Sequence, residues 1–200
     1  MKNYRSSIVI SFMGVDGSGK STLIKKIIKN FKKKFKVIKY LHLKPYFILI
    51  DKRTVNKNPH KQKKLRSNFL SLIVILIWLI QYKIFFFYNQ NKKNQLIIFD
   101  RYAHDLLIDK VRYRHSLSFK FTKKILNFFP EPNLWIILNA KLKVIEKRKK
   151  ELPSLELNRQ IKEYIKFSKT KKNSIIIQTN NNISSNLLLI KKKIETIISK

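Results

Sequence analysis

The stretch Ile8-Val9-Ile10-Ser11-Phe12-Met13-Gly14-Val15-Asp16-Gly17-Ser18-Gly19-Lys20-Ser21-Thr22 decides how the rest of the chain is read. Ile8 to Met13 is a short, nearly continuous apolar run, the composition of a strand buried on both faces. Gly14 to Ser21 then fits G-x-x-x-x-G-K-[ST]. In that pattern glycines let successive backbone N–H groups turn inward on phosphate oxygens, and the following helix presents its positive N-terminal end. Lys20 can reach β- and γ-phosphates, and the Ser21 hydroxyl can ligate Mg²⁺. The run Leu23, Ile24, Ile27, Ile28, Phe31 has helical spacing, so strand, loop and helix stand in the order the mechanism needs. Only three glycines occur in the chain, and all three lie in this loop. A composition so poor in glycine keeps it where a side chain does not fit. The candidate nucleotide-binding residues are Gly14, Asp16, Gly17, Ser18, Gly19, Lys20, Ser21 and Thr22, with ATP and Mg²⁺ as the expected ligands.

A second constellation, Gln95-Leu96-Ile97-Ile98-Phe99-Asp100-Arg101-Tyr102, is an apolar strand ending in a carboxylate. Asp100 there suits a Mg²⁺ site beside the phosphate loop, shared with Ser21. Arg101 offers a planar guanidinium suited to bidentate phosphate binding.

Around these motifs, apolar and β-branched runs mark strands at Ile8–Met13, Val37–Leu43, Leu96–Phe99, Leu134–Leu138 and Ser174–Gln178. Helical patterns fall between them, at Ser21–Lys34, Arg66–Gln90, Phe119–Phe128, Lys141–Lys150, Leu157–Lys169 and Asn186–Ile198. Loops are signalled at Lys44-Pro45, Lys57-Asn58-Pro59, Pro130-Glu131-Pro132 and Asn180–Asn182. The alternation predicts one α/β domain over 1–200, with a five-stranded parallel sheet covered by helices on both faces.

Phe69 to Tyr88 reads at first as a membrane span. Gln81 and Lys83 interrupt it after about twelve strongly apolar residues, short of the ~20 a bilayer needs. Basic residues flank both ends (Arg66; Lys92, Lys93), and one crossing would separate the phosphate loop from Asp100. The expectation is a helix buried in the core or in a homodimer interface.

The formal charge is +34, which suits nucleic acid, an anionic membrane or a phosphorylated ligand as partner. The lysines run from Lys2 to Lys200 among abundant Ile, Asn and Phe, a distribution that equally fits compositional bias on solvated faces. The absence of cysteine excludes disulfides and thiolate metal sites and suits a reducing, cytoplasmic setting.

The segments Phe12-Met13-Gly14-x-Asp16-Gly17-x-Gly19-Lys20-Ser21-Thr22 and Asp100-Arg101-Tyr102 resemble thymidylate kinases, within the P-loop nucleoside monophosphate kinases. Asp105-Leu106-Leu107-x-Asp109, Arg112-Tyr113-Arg114, Arg148-Lys149-x-Glu151-Leu152 and Arg159-Gln160 resemble thymidylate kinase-like proteins of bacterial gene clusters. The resemblance implies strand order 2-3-1-4-5 and an acceptor that is a nucleoside monophosphate. It implies that Asp16 faces the acceptor sugar, that Arg101 clamps the acceptor phosphate, and that a lid spans about 147–160. Because the loop carries no arginine, Arg148 and Arg159 become the candidates to neutralise charge on the transferring phosphoryl.

Two departures stand out. Leu43-Lys44-Pro45-Tyr46 replaces the Arg-Glu-Pro-Gly segment of thymidylate kinases, and Ala103-His104-Asp105-Leu106-Leu107 replaces residues that seat thymine. The leading expectation is phosphotransfer from ATP to a nucleoside monophosphate, with Lys20, Asp100, Arg101, Arg148 and Arg159 as catalytic residues. The alternatives are a kinase of another small acceptor, such as a sugar or envelope-polymer precursor, and a nucleotide-dependent binding module at nucleic acid or membrane.

Overall fold

The computed structural model describes residues 7–45, 64–149, 152–180 and 182–199; the loop expected at Lys57-Asn58-Pro59, and Lys150 and Glu151 of the segment expected as a lid, lie outside them. Strands β1 (Ile8–Met13), β2 (Val37–His42), β3 (Gln95–Asp100), β4 (Leu134–Asn139) and β5 (Ser174–Gln178) form one parallel sheet in the order β2-β3-β1-β4-β5. Helices α1 (Lys20–Phe31), α2 (Asn68–Gln90), α3 (Phe119–Leu126), α4 (Leu142–Arg148), α5 (Ser154–Lys169) and α6 (Ile183–Ile198) complete a three-layer α/β fold. Class and strand order are those expected.

Because side chains alternate along a strand, the sheet feeds two separate cores. Val9, Met13, Ile97, Phe99, Trp135 and Ile137 face one side, where they meet α2, α3 and α5. Ile8, Ile10, Phe12, Leu96, Ile98 and Ile136 face the other, against α1 and α6. Both faces of β1, β3 and β4 are therefore apolar, as parallel central strands require. The register pairs Phe12 with Asp100 and His42 with Asp100, so β1, β2 and β3 end together at one sheet edge. The loop after β1 thus opens beside the carboxylate at the end of β3, where open α/β sheets bind ligands.

Four elements differ from expectation. Helix α5 begins at Ser154, set by the fixed φ of Pro153 as its N-cap, and α6 begins at Ile183, where the Asn182 side chain accepts from Ser184 N at 2.9 Å. A 3-10 turn, Ala103–Leu107, follows β3 where polar residues gave no periodic signal. Helix α2 continues through Gln81 and Lys83 for 23 residues, and its length and apolarity would suffice to cross a membrane. The core covers only one stripe of it, centred on Ile75, Trp78, Tyr82 and Phe85. An apolar helix has apolar residues all round, whereas a three-layer fold covers only the side that faces the sheet.

Candidate functional site

The phosphate loop is shaped by its glycines. At Gly14 (φ +143°) a Cβ would lie 2.7 Å from the Leu138 carbonyl oxygen, which forbids any side chain where the loop leaves β1. Gly19 (φ +95°) caps α1 in the left-handed region, so the first-turn N–H groups are not capped by a side chain. The Lys20 ammonium is buried inside the loop and donates to the carbonyls of Gly14 (2.7 Å) and Val15 (2.8 Å). Burial, and then the charge of Arg101, lower its pKa from 10.5 to about 8, against the pull of Asp16, Asp100 and Asp105.

Asp100 stands beside this loop. Its Oδ2 accepts from the Tyr40 hydroxyl at 3.0 Å, while the buried Oδ1 has no hydrogen-bond partner among the described residues. A buried carboxylate oxygen without a donor suits a bound cation, since the charge must otherwise go uncompensated. Ser21 is exposed on the same cleft. One carboxylate and one hydroxyl, with phosphate oxygens and water completing the shell, is the donor set Mg²⁺ takes in nucleotide sites. Ser21 and Asp100 therefore fit the metal expected there.

Asp16 is the centre of a cationic cluster. Its Oδ1 accepts from Arg101 Nη2 and its Oδ2 from Arg112 Nη1, with Lys149 Nζ 3.6 Å and Lys20 Nζ 4.0 Å away. Burial raises its pKa, but Arg101, Lys20 and Arg112 outweigh burial and hold the carboxyl far below the usual range. Arg101 is only 2% exposed, and its backbone sits at φ +75°, uncommon for a residue with a side chain. Its Nη1 donates to Asp105 Oδ2 at 2.6 Å. Asp105 also accepts from Tyr113 (3.1 Å) and Tyr164 (3.0 Å), so η-nitrogens and phenols share one fully buried carboxylate. Asp16 and Arg101 border a cleft of about 690 Å³, whose wall includes Tyr40, His42, Arg112, Arg148, Thr179 and Asn186.

No family model matches the sequence, and no curated protein matches it. Solved structures do. A thymidylate kinase from Candida albicans superposes with TM-score 0.65 at 16% identity, over 98% of this chain and 93% of that one. A thymidylate kinase from Ehrlichia chaffeensis gives 0.63 at 15% identity, over 94% and 98%. A deoxyadenosine kinase from M. mycoides gives 0.61 at 19% identity, over 95% and 100%. The fold is P-loop nucleoside monophosphate kinase-like.

Within this kinase-like fold the expected site residues do not all converge. Asp16, Gly17, Gly19, Lys20, Ser21, Thr22, Asp100 and Arg101 line the cleft together, whereas Gly14 and Ser18 do not line it. Arg148, at the end of α4, reaches the loop and donates to the Gly17 carbonyl at 3.3 Å. Arg159 does not line the cleft: it donates to Glu156 (2.6 and 2.7 Å) and to the Ile108 carbonyl (2.6 Å). Arg112, Tyr40, His42, Asp105, Tyr113 and Tyr164 were given no role by sequence. Arg112, Tyr113 and Asp105 lie within segments that resemble the family, which is the signal in the sequence that points to them. Tyr164 is an ordinary core aromatic by pattern, and nothing local marks its hydroxyl.

Proposed function

We propose that the chain is an ATP-dependent phosphotransferase of the cytoplasm that passes the γ-phosphoryl group of ATP to a nucleoside monophosphate, as thymidylate kinases do. One observation carries the reading: Lys20, Arg101, Arg112 and Arg148 converge on one cleft above a glycine loop, beside a carboxylate with an uncompensated oxygen. In this account the loop N–H groups and α1 hold the donor phosphates. Lys20 leaves its loop carbonyls to meet the β- and γ-phosphates, and its lowered pKa reflects how dry that position is. Arg148 brings a second cation to the Gly17 side of the transferring group. Asp100 and Ser21 would hold Mg²⁺, which would supply charge neutralisation at the donor phosphates. Arg101 and Arg112 face the acceptor from opposite sides of Asp16 and hold it for in-line attack. An acceptor phosphate is already an adequate nucleophile and needs no general base.

A second reading, transfer to an unphosphorylated small acceptor, is favoured by the state of Arg101. Both its terminal nitrogens are held by Asp16 and Asp105, which leaves Arg112 as the more accessible acceptor-side cation. The M. mycoides structure is of a deoxyadenosine kinase, in keeping with such an acceptor. ADP release from Mg-ATP, measured with nucleoside monophosphates and with free nucleosides and sugars, separates the two. Release only with monophosphates supports the first reading, and release only with unphosphorylated acceptors supports the second.

A further inference from the structure

Seven of the twelve positions from Lys25 to Lys36 are lysine, and no aspartate or glutamate occurs from Gly17 to Ile50. Helix α1 sorts this run by face. Leu23, Ile24, Ile27 and Phe31 are buried against the sheet, whereas Lys25, Lys26 and Lys29 are exposed on the opposite side. Lys32 continues the helical backbone at φ −53°, ψ −32°, so exposed Lys32 and Lys33 extend that side, and exposed Lys36 follows. None of these six side chains forms an ion pair among the described residues. Among the described residues, the one acid paired with the run is Glu195 of α6, and Lys34 holds it.

Helix α5 shows how a solvated helix of this chain is otherwise balanced: Glu156 meets Arg159 and Glu163 meets Lys166, each pair three residues apart. On α1 and its last turn, Lys25 with Lys29 and Lys29 with Lys33 repeat like charge four residues apart. Such pairs cost helix stability, and no acid on the helix relieves them. An anion from outside does. The run from Lys25 to Lys33 spans about 12 Å of helix axis, a length over which duplex DNA carries about seven phosphates. Two other polyanions fit less well. The apolar side chains of α1 are committed to the core, so this face has nothing to insert into a bilayer. Phe31 and Phe35 are 1% and 3% exposed, so neither ring of the run can stack on the bases of a single strand.

We propose that the outer face of α1 and the turn after it, from Lys25 to Lys36, binds the phosphate backbone of duplex DNA without reading its sequence. Lysines bring point charges that suit phosphates. Asn30, the one amide of the run, already donates from Nδ2 to the Lys26 carbonyl at 2.9 Å, which occupies the group that would read a base edge. Lys20 to Leu23, at the other end of α1, line the cleft, so duplex and cleft ligands occupy separate surfaces. Duplex binding is therefore independent of which acceptor the cleft takes.

The test is fluorescence anisotropy of the full chain with a labelled mixed-sequence DNA duplex across a salt series, beside a single strand of the same length and phosphatidylglycerol vesicles. The duplex should bind best, with log K falling against log salt at a slope of about −5 for six lysine–phosphate contacts. Lys29→Gln, Lys32→Gln and Lys33→Gln together should lower duplex affinity on the order of tenfold or more and flatten that slope by about 2.7. The same three positions as arginine should keep both affinity and slope. Lys162→Gln, Lys166→Gln and Lys169→Gln remove the same charge from exposed positions of α5, on the other face of the sheet, and should leave duplex binding nearly unchanged. Circular dichroism checks that each variant folds. Equal losses from the two glutamine triples would show that binding follows net charge alone and would overturn the proposal. So would a wild type that ignores the duplex, or one that binds the single strand or the vesicles more tightly.

Discussion

Arg101 donates from Nη2 to Asp16 Oδ1 across 85 positions of sequence, tying the end of β3 to the phosphate loop. The guanidinium is buried, and its other terminal nitrogen is held by Asp105. One wall of the cleft is therefore built on a chain of buried and half-buried charges, carboxylate and guanidinium alternating from Asp105 to Arg112.

Asp105→Ala breaks that chain at its most buried member and leaves Arg101 without a carboxylate on Nη1. Removing one partner of a buried pair should cost about 3–5 kcal/mol in chemical denaturation. A loss below about 1 kcal/mol would mean that water reaches Arg101 and that the pair is no structural element.

Lys20→Met should lower phosphotransfer on the order of 10²–10³-fold while the fold persists. The same variant exposes a pH effect. With its pKa lowered from 10.5 to about 8, folded Lys20 gives up its proton before unfolded Lys20 does. The unfolded state then binds more protons, so stability gains with rising pH between about 8 and 10.5. Wild type minus Lys20→Met, followed by denaturation across that window, should show this gain, and a flat difference would contradict the buried ammonium.

Arg148→Ala should lower kcat on the order of 10²-fold with a smaller change in KM, because Arg148 reaches the loop and Arg159 does not. Arg159→Ala should have a much weaker effect, its guanidinium being held by Glu156 and the Ile108 carbonyl. Equal losses in single-turnover measurements would place Arg159 at the reaction as well.

Tyr40 donates to the Asp100 oxygen opposite the orphaned one, so it orients the carboxylate without touching a cation. Tyr40→Phe should raise the Mg²⁺ concentration for half-maximal activity roughly tenfold. Asp100→Asn should raise it further, and a Mg²⁺ titration indifferent to both would remove Asp100 from the metal site.

How far the sequence carried the reading follows from the range of each signal. The five strands and the loop were legible because a buried parallel strand is a run of Ile, Val, Leu and Phe, and a phosphate loop fixes residue types at fixed offsets. The hub at Asp16 was not legible, since its partners Arg101 and Arg112 lie 85 and 96 residues away and one carboxylate looks like another in sequence. The resemblance gave Asp16 a sugar-facing role, whereas here both its oxygens are taken by arginines. In α2 the apolar pattern announced burial, but pattern alone does not say how many layers exist to cover it. Two ridges, on Ile75 and on Ile80, read identically until the fold shows that one meets the sheet and the other solvent.

The measurement that bears most directly on the central claim is ADP release from Mg-ATP across a panel of ribo- and deoxynucleoside monophosphates, free nucleosides and sugars. Release should be slow with ATP alone, rise steeply with at least one monophosphate, and fall with Lys20→Met. No acceleration by any monophosphate, with a soluble and folded protein, would contradict the proposed phosphotransfer.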